Sequence, residues 1–261
     1  MSHEISFIGS GNLGTNLART LHQHGFSIRS VISRHAENAR TLARQVGAGS
    51  GTGQGDVDVK TDTMIFSVKD DALSGIISEY DFGDQLLIHT AGSLPMDVFE
   101  GHSKNYGVLY PLQTFSKHRV ADFMNAPIFI EANNNYALSR IRQIADKISR
   151  DVYVMNSSDR LRLHTAAVFT CNFVNHMYKI AEEIVAPSGL DIQVFEPLIR
   201  ETTEKILREK NALKTQTGPA YRNDKNTMEK HLSMLEGQSD LQDLYKMLSN
   251  RIFETSRNET K

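Results

Sequence analysis

The chain has 261 residues, of which 39% are hydrophobic and 23% charged, with a formal net charge of −2. This composition excludes a wholly disordered or collagen-like chain, and the interspersed charges form no clustered basic face of the kind that binds nucleic acid. The apolar runs fall far short of the ~20 residues of a membrane span, no signal-peptide pattern opens the sequence, and the single cysteine, Cys171, excludes an internal disulfide; we therefore expect a cytoplasmic protein with neither membrane nor nucleic-acid partners.

Strands and helices alternate from residue 1 to about 155. Short aliphatic and β-branched runs predict strands over 5–8, 27–32, 63–68, 85–89, 106–109, 127–131 and 152–155. Helical patterns lie between them over 13–24, 36–46, 70–80 and 137–149. This alternation predicts an α/β fold with a doubly wound, mostly parallel sheet of the Rossmann type.

The strand pattern ends at about residue 156. A helix with a cap at Ser157, Ser158 or Asp159 is expected to run to Ala186, and further helices are predicted over 192–211, 227–235 and 241–255. Pro197 either begins a helix or kinks one. We predict two domains, a nucleotide-binding domain over 1–155 and an all-α domain over 156–261.

The stretch GAGSGTGQG, residues 47–55, places glycine at every second position. It lacks the Gly-Lys-Ser/Thr ending of a phosphate-binding P-loop and follows a helix rather than a strand. We interpret it as a flexible surface connection.

The sequence ISFIGSGNLG, residues 5–14, indicates dinucleotide binding. An apolar strand leads into Gly9-Ser10-Gly11-Asn12-Leu13-Gly14, and a helical pattern follows. The first glycine permits a tight turn, the second allows the backbone to approach a pyrophosphate, and the third permits close helix packing. The helix N-terminus would offer free N–H groups to the anion.

The end of the second strand indicates which dinucleotide is bound. NAD-binding chains place an acidic residue about 20 residues after the glycines, whereas this chain has Ser33 and Arg34. A hydroxyl and a guanidinium suit the 2′-phosphate of NADP. The alternative is a solvent-exposed arginine in a strand–helix connection.

Three further loops follow predicted strands, where open α/β sheets bind ligands. The first two contain Val68 with Lys69 and Thr90 with Gly92, and we expect them to flank the nicotinamide and its ribose. The third, residues 110–115, is expected to form part of a substrate wall. Each of the three could instead be ordinary turn chemistry.

The first helix of the second half carries polar groups on an apolar background. Helical spacing places His164, Val168, Asn172 and Asn175 broadly on one side. The apolar residues around them predict a largely buried helix. A buried histidine and asparagine need partners or a wet cavity, so a structural role and a functional role both stay open.

The glycine loop, the motifs at 67–70, 89–92 and 110–115, the helix from His164 to Asn172, and TGPAYRND at 217–224 with His231 together resemble one family. Its members join an NADP-binding domain, similar to that of pyrroline-5-carboxylate reductase and related to the 6-phosphogluconate and β-hydroxyacid dehydrogenases, to a helical domain of unknown function. The resemblance covers nearly the whole chain. It implies the fold, NADP and a homodimer formed through the helical domain, and it implies no particular substrate.

Two related families differ from this chain at their functional residues. β-Hydroxyacid dehydrogenases carry a lysine four residues before the helix asparagine, where this chain has Val168. Proline-forming reductases carry Gly-Pro-Ala-Tyr early in the helical half, whereas here the string lies late in it, at 218–221. We therefore interpret the shared Gly-Pro-Ala-Tyr string as coincidental.

Two functional hypotheses follow. In the first, the chain is an NADPH-dependent reductase of a small carbonyl or imine, or an enzyme running the reverse oxidation. Arg222 would bind an anionic substrate group, Asn172 would orient the substrate, and His164 or His231 would supply the proton. Asp224 would position Arg222 or cap the next helix. In the second hypothesis the chain is a non-catalytic NADP-binding sensor or partner-binding protein. Neither requires a metal.

Overall fold

The computed structural model describes residues 3–53, 60–117, 119 and 121–258. Contacts within the chain divide it into two compact units, residues 1–175 and 176–261. The predicted domain boundary at 155/156 is a different division, and it stays a prediction.

The first unit is built on an eight-stranded sheet in the order β3-β2-β1-β4-β5-β6-β7-β8. All neighbours are parallel except β6 and β7. The strands are β1 Glu4–Ile8, β2 Ser27–Ile32, β3 Gly49–Gly51, β4 Thr63–Phe66, β5 Leu86–His89, β6 Asn105–Pro111, β7 Ile128–Ala132 and β8 Val152–Val154. The predicted α/β class and the mostly parallel Rossmann-type sheet are confirmed.

Helices cover both faces of this sheet. They are α1 Asn12–Gln23, α2 Ala36–Val46, α3 Asp70–Ile77, α4 Asn135–Ile148 and α5 Ser157–Ala167. The buried faces of α1, α2 and α4 form one apolar cluster, which includes Leu17, Leu42 and Ile141. On the other face Leu73 and Ile77 of α3 belong to a second cluster. Two-sided coverage explains why the central strands consist almost entirely of buried residues.

Strand β3 corrects the prediction for the glycine-rich stretch. Gly49, Ser50 and Gly51 pair in parallel with β2 at the edge of the sheet, so this part of 47–55 is not a free connection. An edge strand forms hydrogen bonds with one neighbouring strand only. A segment of three residues, two of them glycine, is therefore sufficient to form β3. Residues 54 and 55 of the same prediction lie outside the described part of the chain.

Helix α5 leads into a five-residue π-helical segment, Val168–Asn172, and then into α6, Phe173–Val185. The N-cap of α5 is Asn156, whose side chain accepts from the backbone N–H of Asp159, so the cap lies just before the three predicted candidates. The prediction that this helix is largely buried is wrong. From α5 through the π-helical segment to the end of α6, Arg160 is the only buried residue.

The second unit, within its described residues, is helical. After two short 3₁₀ turns it contains α7 Glu196–Glu209, α8 Lys225–Met234 and α9 Ser239–Asn258. Pro197 lies in the first turn of α7, so it begins a helix rather than kinking one. No helix in the described part of the chain is long and apolar enough to span a membrane.

Candidate cofactor and active site

The glycine loop between β1 and α1 is shaped by contacts with the neighbouring strand end. Gly9 has φ +108°, and a Cβ built on it would lie 2.1 Å from the Ser67 carbonyl oxygen. A Cβ on Gly14 would lie 2.5 Å from the Gly9 carbonyl oxygen. Both positions therefore exclude any side chain, and the first also requires a backbone that L-residues rarely adopt.

Gly11 differs, because a Cβ there would meet nothing within 4 Å. Gly11 lines the cavity described below, and as N-cap it offers no side-chain bond to the first turn of α1, which contains no acidic residue. The neighbouring Ser10 hydroxyl is one of two buried side-chain atoms without a partner among the described residues. Open space, free helix N–H groups and an unsatisfied hydroxyl together fit a bound pyrophosphate.

A cavity of about 970 Å³ lies at the carboxyl ends of the central strands. It is lined by residues from the glycine loop, from the end of β2, and from the loops after β4 and β5. Eleven of the twelve residues predicted to bind cofactor line it: Gly9, Ser10, Gly11, Asn12, Leu13, Ser33, Arg34, Val68, Lys69, Thr90 and Gly92. Gly14 packs against the loop instead. An open α/β sheet binds ligands at this edge, where the strand order reverses between β1 and β4.

Three residues missed by sequence reasoning join Ser33 and Arg34 at the β2 end of the cavity: His35, Asn38 and Thr52. Thr52 lies there because β3 pairs with β2, which brings the glycine-rich stretch to the cavity rim. Asn38 is the third residue of α2, and its place in the first turn of the helix that follows β2 was the signal available in the sequence. The group offers hydroxyl, amide, imidazole and guanidinium donors, which suit a phosphate.

At another part of the cavity lining, His164 of α5 meets Tyr110 of β6. The Tyr110 hydroxyl lies 3.0 Å from His164 Nδ1, and the two rings are nearly perpendicular. A Cβ on Gly92 would lie 2.6 Å from the His164 ring, so the glycine leaves room for the imidazole. Burial raises the pKa of the Tyr110 phenol, which keeps it protonated at neutral pH.

The loop after β5 is held by a buried histidine. The Ala91 N–H donates to His89 Nδ1, so the ring proton is on Nε2, which lies 3.3 Å from the Pro95 carbonyl oxygen. Burial, together with the nearby Arg160 guanidinium, lowers the pKa of His89 to about 3. His89 is therefore a neutral structural residue that fixes the loop carrying Thr90 and Gly92.

Arg160 ties the start of α5 to the sheet. It is 1% exposed, pairs with Glu131 of β7 and donates to the Leu94 carbonyl. Glu131 also accepts from the backbone and the hydroxyl of Ser157. Because His164 lies one turn after Arg160, this buried ion pair sets the position of the histidine at the cavity. In the sequence this ion pair is visible only as an arginine and a glutamate 29 positions apart.

Asn172 does not share the position of His164. It is the last residue of the π-helical segment, it is exposed, and it is not among the described residues that line the cavity. The prediction assumed regular α-helical spacing, and a π turn shifts the register of every side chain that follows.

Arg222, Asp224 and His231 lie in the second unit. Asp224 is the N-cap of α8, accepting from the Thr227 N–H at 3.1 Å and from its hydroxyl at 2.8 Å. These bonds from Thr227 lower the pKa of the Asp224 carboxyl. His231 Nδ1 lies 2.8 Å from the Tyr245 hydroxyl. Of the two roles weighed for Asp224, the structure shows the cap, and the grouping of these residues with His164 stays a prediction.

Comparisons with known proteins agree with this architecture. A family model described as "NADP oxidoreductase coenzyme F420-dependent" matches residues 4–92, and a domain of unknown function, DUF2520, matches residues 126–252. The chain is 44% identical to a "putative NADP oxidoreductase" of Bacteroides fragilis, over 97% of this chain and 98% of that one, with a TM-score of 0.89. No curated protein shows significant sequence similarity to the chain.

More distant structures share the fold. A reductive aminase from Aspergillus terreus, solved with NADPH and ethyl-5-oxohexanoate, is 14% identical over 98% of this chain and 96% of that one, with a TM-score of 0.71. A 1-pyrroline-5-carboxylate reductase from Streptococcus pyogenes is 13% identical over 97% and 99%, with a TM-score of 0.61.

Proposed function

We propose that this chain, which belongs to the family of NADP oxidoreductases with a C-terminal DUF2520 domain, reduces a small carbonyl or imine compound. Its cofactor is NADP, and the reduced form supplies a hydride when bound. The residues of the glycine loop would hold the pyrophosphate, and Ser33, Arg34, His35 and Asn38 would hold the 2′-phosphate. The cavity, the open space at Gly11 and the unpartnered Ser10 hydroxyl support this assignment.

The observation that carries the proposal is the pair formed by His164 and Tyr110 in the wall of the cofactor cavity. With the Tyr110 phenol donating to Nδ1, the imidazole carries its proton on Nε2. That N–H can protonate the oxygen or nitrogen that gains charge when hydride adds to the substrate carbon. As Nε2 gives up its proton, the Tyr110 phenol can pass its own proton to Nδ1, and the phenolate then regains a proton from solvent, so one turnover consumes one hydride from the cofactor and one proton from water.

Two of the remaining predicted residues keep their proposed roles: Arg222 would bind an anionic substrate group, and His231 is the alternative proton donor. Asn172 does not line the cavity beside His164, so the role predicted for it, orienting the substrate, would be exercised from outside that lining. Asp224 contributes through the cap that begins the helix after Arg222. The keto ester in the Aspergillus terreus complex is compatible with a carbonyl substrate, although the likeness to that enzyme is one of fold.

The test is a screen of NADPH oxidation against small aldehydes, ketones and cyclic imines, followed by variants on the best substrate. We expect His164→Gln to lower kcat by about 100-fold or more, because general acid catalysis contributes on that order. Tyr110→Phe should lower kcat less than His164→Gln does and should shift the pH profile of kcat. His102→Gln, an exposed histidine outside the cavity, is the matched control and should behave as the wild type.

NADPH binding is measured on the same variants by fluorescence titration. Unchanged affinity with lost turnover assigns His164 to chemistry. Normal turnover in His164→Gln would show that the proton comes from another group, with His231 the first to examine.

The second candidate is a non-catalytic NADP-binding sensor or partner-binding protein. Val168, standing where β-hydroxyacid dehydrogenases carry their catalytic lysine, favours it. It predicts tight NADPH binding, no turnover across the screen, and no effect of His164→Gln on any bound ligand.

We also propose that the chain is a cytoplasmic homodimer formed through its helical half. Among residues 176–257, for which burial is described, only Ala220 and Leu235 are buried. Leu198 and Leu207 of α7 are 64% and 69% exposed, and Phe169 before α6 is 64% exposed. A helical unit with so little buried apolar surface needs a covering partner, and a second copy of the chain supplies a matching apolar face.

A further inference from the structure

The segment after β6 is bound to the first two turns of α1. We call residues 113–117 the strap. Asn12 Nδ2 donates to the Phe115 carbonyl at 3.0 Å, and Asn16 Nδ2 donates to the Ser116 carbonyl at 2.9 Å. These bonds join residues about a hundred positions apart, so the position of the strap is set by α1 rather than by its own sequence.

Asn16 is the main anchor of the strap. It is 2% exposed, and its Nδ2 also donates to the Asn12 carbonyl at 2.8 Å. Its Oδ1 accepts from the Ala121 N–H at 3.0 Å, so one amide holds the backbone at both Ser116 and Ala121. A buried amide with every one of these bonds formed is costly to disturb, because each lost partner leaves a polar group unsatisfied.

Phe115 adds an apolar anchor. Its ring packs against Phe123 with centroids 5.3 Å apart, at the edge of the core cluster that contains α1 and α4. The strap is therefore fixed by two amides and one aromatic ring.

Lys117 lies at the end of the strap and lines the cofactor cavity. Asn12, which bonds to the strap two residues earlier, belongs to the glycine loop and lines the same cavity. The other lysine and arginine of the lining are Lys69, after β4, and Arg34, after β2, and each is attached to a different strand end. Lys117 is thus the cation that the fold ties to the glycine loop itself.

We propose that Lys117 is a cofactor-binding residue that pairs with the pyrophosphate of the dinucleotide, and that Asn16 is the positioning residue that holds it there. A dinucleotide pyrophosphate carries two negative charges, and α1 contributes only the partial charge of its N-terminus. An ammonium group on a fixed strap supplies the missing full charge. The inference rests on NADP as the cofactor and is independent of whether the chain turns over a substrate.

The experiment compares the affinities of NADPH and NADH, which share the pyrophosphate and differ in the 2′-phosphate. Both are titrated by fluorescence against the wild type, Lys117→Gln, Arg34→Gln and the control Lys147→Gln, an exposed lysine on α4. We expect Lys117→Gln to raise both dissociation constants by the same factor, about tenfold. Arg34→Gln should raise the dissociation constant of NADPH alone, and Lys147→Gln should change neither dissociation constant.

Salt supplies a second measurement. The affinity of the wild type for NADH should fall with ionic strength, and this dependence should weaken in Lys117→Gln because one ion pair is gone. Asn16→Ala should reproduce the binding loss of Lys117→Gln. If it does not fold, the lysine variant and its salt dependence decide alone.

Two results overturn the proposal. If Lys117→Gln weakens NADPH but not NADH, the lysine contacts the 2′-phosphate. If it leaves both affinities and the salt dependence unchanged, Lys117 does not contact the cofactor. Neither result bears on the reductase proposal, which is tested by His164 and Tyr110.

Discussion

At the scale of single residues, the three glycines of the first loop serve different purposes. Gly9 and Gly14 are required by packing, because any Cβ would collide with backbone oxygens of Ser67 and Gly9. Gly11 is required by nothing in the protein itself, since the space beside it is open. The three glycines look alike in the sequence, but Gly9 and Gly14 are required for folding, and we propose that Gly11 is required for ligand binding.

Alanine substitutions separate the two. Gly9→Ala should destabilise the protein by about 3 kcal/mol or more, because it combines a positive φ with a backbone collision. Gly11→Ala should change stability by less than about 1 kcal/mol and weaken NADPH binding about tenfold, since its methyl group enters the space that the pyrophosphate needs. Thermal melts and NADPH titrations of both variants check this, and equal losses of stability would contradict it.

His89 shows why residue type alone does not identify a catalytic group. It lies next to Thr90 at the cavity, yet its pKa of about 3 and its two bonds to its own loop mark it as structural. For His164 the sequence leaves a structural and a functional role open, and its contact with Tyr110 at the cavity supports the functional one.

At the scale of elements, TGPAYRND is a structured break between helices. Gly218 and Asn223 have φ of +110° and +55°, and the Asp224 N–H donates to the Pro219 carbonyl at 2.9 Å. Asp224 then caps α8. The motif therefore serves first to end one segment and to begin the next helix, and Arg222 is presented from within this turn.

Two substitutions distinguish the capping role of Asp224 from an electrostatic interaction of its carboxylate with Arg222. We expect Asp224→Ala to lower the melting temperature by about 2–4 °C, the size of effect that loss of one cap has in a chain of this length. Asp224→Asn should restore most of it, because asparagine caps as well as aspartate. A loss of substrate affinity that asparagine fails to restore would indicate that the carboxylate charge also matters.

At the scale of the whole molecule, the two units have different sources of stability. The first has a continuous core on both faces of its sheet. The second has exposed apolar side chains on several helices, Leu198 of α7 and Met247 of α9 among them. Burial of such surface contributes about 25 cal/mol per Å², so association is the expected way for the second unit to gain stability.

Sedimentation of the purified chain should therefore show a dimer. We expect Leu198→Asp to shift it toward monomer, because the substitution places a charge in the covered apolar face. Ser139→Asp puts the same charge on an exposed position of α4, outside the helical half, and should leave the dimer intact. A monomeric wild-type protein, or equal behaviour of the two variants, would rule out this interface.

Local patterns in the sequence were sufficient for most of the architecture. The short aliphatic and β-branched runs, the helical spacing between them and the glycine motif each arise from interactions among neighbouring residues, so they can be read without a structure. They identified seven of the eight strands and the Rossmann class. Membership of the NADP oxidoreductase family with DUF2520 followed from motifs spread over nearly the whole chain.

Only the tertiary structure decided which distant residues meet. The pairing of β3 with β2 brought Thr52 to the cavity, the ion pair of Arg160 with Glu131 placed His164 beside Tyr110, and Asn16 carried Lys117 to the glycine loop. Each contact joins positions far apart in the chain, and no local periodicity encodes such a distance. The π turn before Asn172 is the same kind of case, since it shifts the register of a helix whose spacing looks regular in the sequence. Sequence alone thus determined the elements and the cofactor class, whereas long-range packing determined the site.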